Sequence, residues 1–198
     1  MNYKLSACLL AFAALAACGG GGEDVAGDTG PGDWQTLFDG SDLAQWNQIG
    51  DANWRLVNDY VEADSGNGFL VSKEDYADFE LTLEFWVTLE ANSGVFARCQ
   101  DPNQIGADNC YEVNIYDTRP DPTYRSGSIV NVSAPSAQVN TGGRWNAFRI
   151  VMQGSHLQVE LNGTQTVDVQ DDRYSTGPLA LQYGAGTVIF RNVRLRRL

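Results

Sequence analysis

Short runs of alternating apolar and polar residues make up most of the sequence after residue 32. The clearest run covers 79–87, where residues 79, 81, 83 and 85 are apolar and residues 80, 82 and 84 are polar or charged. A period of two is that of a β-strand with one face against a core. Because no stretch shows sustained helical periodicity, the pattern predicts an all-β domain.

The second half of the sequence adds the turns that such a domain needs. Asn162-Gly163 is a two-residue hairpin signal. Near the C-terminus the apolar positions change parity at Arg191-Asn192, which indicates a β-bulge in the last strand. About a dozen strands are expected in all, which favours a two-sheet antiparallel jelly-roll sandwich over a small barrel. In this half we expect strands over 149–152, 156–161, 164–169 and 187–198.

Residues 1–17 have the pattern of a secretory signal peptide. The apolar run from Leu5 to Leu15 is too short to cross a bilayer as a helix, which takes about 20 residues. It ends in Leu15-Ala16-Ala17-Cys18, which resembles the lipobox of bacterial lipoproteins, so we expect a diacylglycerol on Cys18. Gly19 at the next position favours the outer membrane. The alternative is an ordinary cleaved signal in which Cys18 has no role.

Residues 18–32 are rich in glycine and include three acidic residues. Such a segment buries little apolar surface, so we expect a flexible tether between the lipid and the domain. The remaining residues, 33–198, are enough for one domain with its own core. The sequence therefore predicts an exported β-domain that is lipid-anchored in the cell envelope and faces the periplasm or the surface.

The charge of the chain narrows the classes of partner. The formal net charge is −12 at pH 7, and it becomes −13 without the signal, which contains one lysine and no acid. An acidic domain of this kind is repelled by a phosphate backbone. The composition therefore argues against a nucleic-acid partner.

Two cysteines, Cys99 and Cys110, remain when the signal and the lipid site are set aside. Outside the cytoplasm they are expected to form a disulfide. Two free thiols or half of a metal site are the alternatives, and the single histidine, His156, makes a zinc site a poor candidate. We expect His156 to be an exposed surface residue.

Seven sequence features follow one another in a specific order: LFDGSDLAQW at 37–46, YADFEL at 76–81, NSGVFAR at 92–98, YEVNIYD at 111–117, RWN at 144–146, LNG at 161–163, and LQ at 181–182 with FRNV at 190–193. In this order they resemble the 3-keto-disaccharide hydrolase domain family over 34–198. The resemblance implies a concanavalin A-like jelly roll that cleaves 3-keto-glycosides. Two features depart from the family: Asn114 stands where glutamine is usual, and the Cys99–Cys110 insert is uncommon.

Glu112 is the strongest candidate for chemistry. It lies in the middle of an expected strand, where a carboxylate is costly unless that face is wet or a cation pairs with it. A disulfide between Cys99 and Cys110 would bring Arg98 close to Glu112. The resemblance implies a sugar substrate with a ketone at C3, which makes the hydrogen on C2 acidic. We expect Glu112 to remove that proton and Arg98 to stabilise the enolate that forms. A purely structural Arg98–Glu112 ion pair is the alternative.

Four more residues, Asn114, Tyr116, Asp117 and Gln182, are expected to bind substrate, with Asn114 and Gln182 contacting hydroxyl groups. Glu112, Asn114 and Asp117 keep the spacing of a Glu-x-Asp-x-x-Glu motif found in glycosidases of this fold. The middle acid is missing, however, and a two-carboxylate retaining mechanism needs carboxyl groups about 5 Å apart. Asp117 can instead cap a turn.

Two alternative functions belong to other classes. A non-catalytic carbohydrate-binding module would display Tyr116, Tyr124 and Tyr183 on the concave face beside a fully paired Glu112. An adhesion or scaffold domain could hold calcium in the acidic loop 101–108. The sequence contains no nicotinamide-binding fingerprint. Calcium is the one candidate cofactor, and the sequence does not specify an oligomeric state. Most tryptophans are expected in the core: Trp34, Trp46, Trp54 and Trp86.

Overall fold

The computed structural model describes residues 32–198, which form thirteen strands in two antiparallel β-sheets packed face to face. The predicted all-β jelly-roll sandwich is confirmed. The predicted signal peptide, the lipid site at Cys18 and nearly all of the tether lie outside the described residues. Within residues 32–198, no helix has the length and apolar character needed to cross a membrane.

One sheet has eight strands and the other has five. The larger sheet has the order β11-β10-β9-β6-β13-β4-β3, and β1 also pairs with β13. The smaller sheet has the order β2-β5-β12-β7-β8. The strands are β1 (Gln35–Phe38), β2 (Trp46–Gly50), β3 (Arg55–Val57), β4 (Tyr60–Ala63), β5 (Gly68–Tyr76), β6 (Phe79–Val87), β7 (Ser93–Ala97), β8 (Tyr111–Ile115), β9 (Trp145–Gln153), β10 (His156–Leu161), β11 (Thr164–Gln170), β12 (Gly177–Tyr183) and β13 (Val188–Arg197), with a short 3-10 helix at Pro122–Tyr124.

The core lies between the two sheets and follows from the alternation in the sequence. Phe79, Leu81, Leu83 and Phe85 of β6 are buried there, as predicted. Phe85 stacks on Phe148 of β9 with ring centroids 4.9 Å apart. Each large apolar side chain buried in this way contributes about 1.5–3 kcal/mol, so the alternating strands supply much of the stability of the sandwich.

The predicted turn and bulge are both confirmed. Asn162 and Gly163 have φ angles of 53° and 75° and connect β10 to β11 as a tight hairpin. In β13 the register shifts between Arg191 and Arg194, and Asn192 has a φ of 52°. The bulge divides β13, so that its first half pairs with β4 and its second half pairs with β1.

The smaller sheet buries residues on both of its faces. In β7, β8 and β12 the odd-numbered residues enter the main core, and the even-numbered residues face outward. A second apolar cluster forms on this outward side: Val71, Phe96, Cys99, Cys110 and Ala180. Cys99 and Cys110 form the predicted disulfide, which closes the hairpin between β7 and β8.

Candidate functional site

Two cross-strand rows on the outward face of the smaller sheet bring the candidate residues together. In one row, Phe96 lies between Ala180 and Glu112. In the next row, Gly94 pairs with Asn114, and the same register places Gln182 on the other side of Gly94. Glu112, Asn114 and Gln182, which were predicted from the sequence, therefore share one face.

The segment after the helix extends both rows by one position. The backbone N–H of Val130 donates to the carbonyl of Glu112 at 3.0 Å, and the N–H of Asn114 donates to the carbonyl of Ser128 at 3.1 Å. A bridge between Val113 and Ile129 fixes this register. Ser128 thus lies beside Asn114 and extends the polar row.

Glu112 is a buried carboxylate without a bound partner. Its exposed fraction is 9%, and no group within residues 32–198 donates a hydrogen bond to its carboxylate. Burial raises the pKa of Glu112 to about 7, although the positive charge of Arg119 acts to lower it. A carboxyl group with this pKa can take up and release a proton near neutral pH, which is what a general base requires.

The neighbouring row has three more polar atoms without partners. They are Gln182 Oε1, Asn114 Oδ1 and Ser128 Oγ, and each is buried. The amide nitrogen of Asn114 donates to the carbonyl of Tyr124, which fixes the orientation of the amide. Buried polar groups in folded proteins normally have partners, so three such atoms in one row point to a ligand.

The loop 116–126 lies beside these rows and includes Arg119. The Arg119 guanidinium lies 5.3 Å from the ring centroid of Tyr124 and 5.9 Å from that of Tyr116. The Nε of Arg125 donates to the carbonyl of Arg119 at 3.0 Å. No carboxylate within residues 32–198 forms an ion pair with Arg119, so its charge is available to a ligand.

Asp117 anchors this loop. Its carboxylate accepts from Ser126 Oγ at 2.6 Å, from the N–H and Oγ1 of Thr141 at 2.6 and 2.9 Å, and from the N–H of Gly142 at 3.0 Å. With these four contacts the carboxylate holds two distant segments together. Its predicted role in substrate binding stays a prediction, and its contacts favour an anchoring role.

The predicted pair between Arg98 and Glu112 is wrong. Arg98 has a φ of 51°, which ends the alternation of β7 and turns the side chain away from the outward face. The guanidinium is fully buried and donates to the carbonyls of Ala77, Gly154 and Tyr174 at 2.7–3.1 Å and to Asp78 Oδ1 at 3.2 Å. Arg98 therefore connects loops at one end of the sandwich.

Other sequence-based candidates lie away from the two rows. Tyr183 is buried in the core, and its hydroxyl donates to the carbonyl of Gly186, so the expected platform of three tyrosines does not form. His156 is partly exposed, with 41% of its side chain accessible, and contacts Asp168 at 2.6 Å. Trp46 and Trp54 pack in or against the core, whereas Trp34 stacks under Arg194 and Arg196 on the other sheet.

The acidic loop shows no clustered ligand set. Asp101 accepts from the N–H of Asn103, and Asp108 accepts from Asn131. Within residues 32–198 there is no group of three or more His, Cys, Asp and Glu side chains that could hold a metal ion. The calcium alternative stays a prediction.

Sequence reasoning missed three residues of the site: Gly94, Arg119 and Ser128. Gly94 lies in the NSGVFAR motif, but a glycine has no side chain that would indicate a binding surface. Arg119 lies in a segment whose residue types are typical of a turn. Ser128 lies in a segment without a strand pattern, and only the pairing of Val113 with Ile129 reveals its position.

Several solved structures have the same fold. A provisionally assigned glycosyl hydrolase from Parabacteroides distasonis ATCC 8503 has a TM-score of 0.75 at 19% identity, over 83% of this chain and 94% of its own. A second such protein from that organism has a TM-score of 0.72 at 25% identity, over 84% and 100% of the two chains. The carbohydrate-binding module CBM66 from Bacillus subtilis has a TM-score of 0.59 at 16% identity, over 77% and 95%.

None of the curated proteins matches this sequence. The family model of the 3-keto-alpha-glucoside-1,2-lyase-like domain matches residues 33–196, which is nearly the whole of the described part. Family and fold together indicate a glycan-related role, as a hydrolase-like or lyase-like enzyme or in carbohydrate binding. The chain belongs to the 3-keto-alpha-glucoside-1,2-lyase-like domain family.

Proposed function

We propose that the domain cleaves the glycosidic bond of 3-keto-glycosides by elimination and subsequent hydration, with Glu112 as the base. The observation that supports this proposal is the state of Glu112. Its side chain is buried, no cationic side chain among residues 32–198 forms an ion pair with it, and its pKa is raised to about 7. An unpaired buried carboxylate is expensive for a fold. Such a cost is typical of functional sites.

The chemistry needs only one carboxylate. A ketone at C3 makes the C2 hydrogen acidic, and Glu112 would accept that proton as an enolate forms across C2, C3 and the ketone oxygen. When the enolate collapses, a double bond forms between C1 and C2, and the C1–O bond breaks. The leaving oxygen takes a proton, for which protonated Glu112 is a source. Water then adds to C1 and a proton returns to C2, so the net reaction is hydrolysis.

Arg119 replaces Arg98 in this proposal as the group that stabilises the enolate. Its guanidinium lies beside the rings of Tyr116 and Tyr124, and its charge is close enough to influence Glu112. A fixed positive charge near the developing oxyanion lowers the barrier of such a step. Arg98 has its hydrogen-bond donors occupied by four acceptors elsewhere.

Asp117 is not available as the second acid of an ordinary retaining glycosidase. Asp117 is five residues after Glu112, and its oxygens already accept four hydrogen bonds, one from Ser126 and three from Thr141 and Gly142. A two-carboxylate mechanism requires a free partner about 5 Å away. The elimination mechanism avoids this requirement.

We also place this activity outside the cytoplasm, on the basis of the lipobox at Cys18. Glycans that reach the outer membrane would be the substrates. Since the ketone must be present before cleavage, a separate oxidoreductase would have to supply it.

Globomycin, which inhibits lipoprotein signal peptidase, should cause the unprocessed precursor to accumulate if Cys18 is lipidated.

The test of the catalytic proposal is a cleavage assay in D₂O. Full-length protein in detergent is incubated with 3-keto-trehalose, and the released 3-keto-glucose is analysed by mass spectrometry. Elimination and hydration should place deuterium on C2 of the product, because that carbon loses and regains a hydrogen. Cleavage without deuterium at C2 would contradict the mechanism, and absence of cleavage would contradict the activity.

Glu112→Gln should lower kcat by about 10²–10⁴-fold, the usual range for loss of a general base. Glu160→Gln is the matched control. Glu160 is a glutamate of the larger sheet, paired with Arg149 at 2.8 Å, and its replacement should leave kcat unchanged. Full activity in the Glu112 variant would remove Glu112 from the mechanism.

Carbohydrate binding without catalysis is the second candidate function. The similarity in fold to CBM66 and the tyrosine pair around Arg119 favour it. In that case unoxidised trehalose should bind, as measured by calorimetry, and no sugar tested should be cleaved. Glu112→Gln would then leave the affinity nearly unchanged.

A further inference from the structure

A cavity of about 540 Å³ lies on the outward face of the larger sheet, and the core of the sandwich separates it from Glu112. It extends from β13 across β6 and β9 to the turn after β10. Three strand spacings of about 4.8 Å make it about 14 Å long. A cavity of this volume and length can hold a short oligosaccharide.

Two short side chains form the floor of this cavity. Thr82 of β6 lies across from Arg149 of β9, and Ala147 of β9 lies across from Glu84 of β6. The two long charged side chains therefore stand at opposite corners, and the two short ones leave the space between them open. The cavity follows from this alternation of sizes along two neighbouring strands.

The bulge in β13 supplies one wall of the cavity. Phe190 and Val193 are both fully buried, so the two residues between them, Arg191 and Asn192, both lie on the outward side. Asn192 has a φ of 52°, is exposed and lines the cavity. Bulges commonly redirect a side chain next to a functional site. Here the bulge adds an amide to the cavity that a regular strand would not present.

Arg194 is the cation of the cavity that has no counter-charge. The register of β13 with β6 places Arg194 opposite Thr82, whereas the arginines before and after it on this face lie opposite glutamates. Within residues 32–198 no carboxylate forms an ion pair with Arg194, and its guanidinium lies 5.4 Å from the ring centroid of Trp34. The other arginines in the strands of this sheet are all ion-paired: Arg55, Arg149, Arg191, Arg196 and Arg197. The charge of Arg194 is therefore available to an anionic group in the cavity.

We propose that this cavity is a second carbohydrate-binding site, which takes a sugar with a carboxylate group, such as a hexuronic acid. The carboxylate pairs with the guanidinium of Arg194, whose planar N–H groups match two carboxylate oxygens. The ring hydroxyls bind to the amide of Asn192, which donates and accepts, and to the carboxylate of Glu84, which only accepts. This site needs no catalysis, so it does not depend on the proposed function.

The mixture of charges in the cavity favours a uronic acid over other ligands. A phosphate group carries more negative charge than a carboxylate, so Glu84 repels it more strongly. A neutral sugar leaves the charge of Arg194 unmatched, whereas a uronic acid combines one negative charge with several hydroxyl donors. Trp145 lies two residues before Ala147 on the same face and is 39% exposed, so it adds an aromatic surface for a further sugar ring.

Calorimetry with trigalacturonate and its trimethyl ester tests the ligand class. Full-length protein in detergent should bind the acid. The ester has the same ring hydroxyls without the charge and should bind about 10-fold or more weakly, the usual value of a hydrogen bond to a charged group. Inorganic phosphate at the same concentration should not displace the acid. No binding of the acid, equal affinity for acid and ester, or displacement by phosphate would overturn the inference.

Two variants test the cavity itself. Arg194→Gln removes the cation and should weaken binding of the acid by about 10-fold or more. Ala147→Gln fills the floor without changing any charge and should weaken binding of both the acid and the ester. It keeps the test decisive if Arg194→Gln fails to fold. Unchanged affinity in either folded variant would overturn the inference.

Arg144→Gln is the matched control for the loss of charge. Arg144 is exposed and has no ion pair within residues 32–198, but it does not line the cavity. The control should keep the affinity of the natural protein. Equal losses in Arg194→Gln and Arg144→Gln would show only a general attraction between charges and would overturn the inference.

Glu112→Gln shows whether the two sites are separate. Because Glu112 lies on the other sheet, its replacement should leave the affinity for trigalacturonate unchanged. Loss of binding in this variant would place the acid on the smaller sheet and would overturn the inference, whatever the outcome of the cleavage assay.

Discussion

Each of the two outward faces of the sandwich buries a glutamate, but only the larger sheet pairs its glutamate with cationic side chains. On the larger sheet, Glu80 is 6% exposed and accepts from Arg149 Nε at 2.6 Å and from Arg196 Nε at 2.8 Å. On the smaller sheet, Glu112 is 9% exposed and has no such partner within residues 32–198. Burial acts to raise the pKa of both carboxyls, but the two arginines outweigh it and leave the pKa of Glu80 below its ordinary value.

The difference shows which face has its polar groups paired within the protein and which face does not. Across the larger sheet, carboxylates and guanidinium groups pair repeatedly, as in Glu84 with Arg191 at 2.6 Å and Glu160 with Arg149 at 2.8 Å. The smaller sheet instead holds a carboxylate, two amide oxygens and a hydroxyl without partners. Similar burial with different pairing therefore separates a stabilising surface from a surface prepared for a ligand.

The largest expected effect concerns Arg98, the buried cation that the sequence had suggested as the partner of Glu112. Arg98→Leu should lower the free energy of unfolding by about 3–5 kcal/mol, because it leaves three partly buried carbonyls, each at a cost of about 1–3 kcal/mol, without their donor. Urea denaturation measures this change. Arg173→Gln, which removes a half-exposed ion pair with Asp171, should cost about 1 kcal/mol or less.

A different outcome would revise the comparison. If Arg98→Leu kept its denaturation midpoint and lost only activity, Arg98 would be part of the chemistry after all. Loss of activity in proportion to the unfolded fraction is what an architectural role predicts.

The second effect is the pH dependence caused by Glu112. Its pKa is about 7 in the folded protein and about 4.5 in the unfolded chain, so the folded state holds the proton more tightly. Stability should therefore fall as the pH rises from about 4.5 to about 7 and stay lower above that range, by about 3 kcal/mol in total. Glu112→Gln lacks this loss and should be the more stable protein at pH 8.

The same ionisation should appear in catalysis. Because the base acts as the carboxylate, kcat/KM should rise with pH through about 7 and then level off. Chemical denaturation at pH 4 and pH 8 and a pH–rate profile measure the two consequences. Equal stability of the natural protein and Glu112→Gln at pH 8 would show that Glu112 has a partner in solution and would remove the contrast with Glu80.

The sequence could predict the larger sheet better than the smaller one. Strands β6, β9 and β10 have one outward face with polar side chains, so burial produces a period of two that is visible in the sequence. Every residue of β7 and β8 is buried, and such strands do not alternate. For β8, the face of Glu112 followed only from its position between Tyr111 and Val113.

The parts of the site that could not be predicted depend on distant contacts or on backbone conformation. The residue type does not predict the positive φ of Arg98, yet that angle decides which way the side chain points. Arg119 is placed by a loop that Asp117 fixes to Thr141, 24 residues away. Local sequence patterns do not predict contacts between segments that lie so far apart in the chain.

The smallest expected effect concerns Glu80 itself. Glu80→Gln should lower the free energy of unfolding by about 2 kcal/mol at pH 7, less than for a fully buried pair because both arginines are partly exposed. Since the pKa of Glu80 is lowered in the folded protein, this contribution is present above its unfolded pKa and is lost as the pH falls below it. The difference in free energy of unfolding between variant and natural protein should therefore change with pH in opposite directions at the two glutamates. For Glu80→Gln the deficit becomes smaller as the pH falls. For Glu112→Gln the variant becomes more stable relative to the natural protein as the pH rises. Slopes of the same sign, measured by urea denaturation between pH 3 and pH 8, would mean that pairing does not distinguish the two faces.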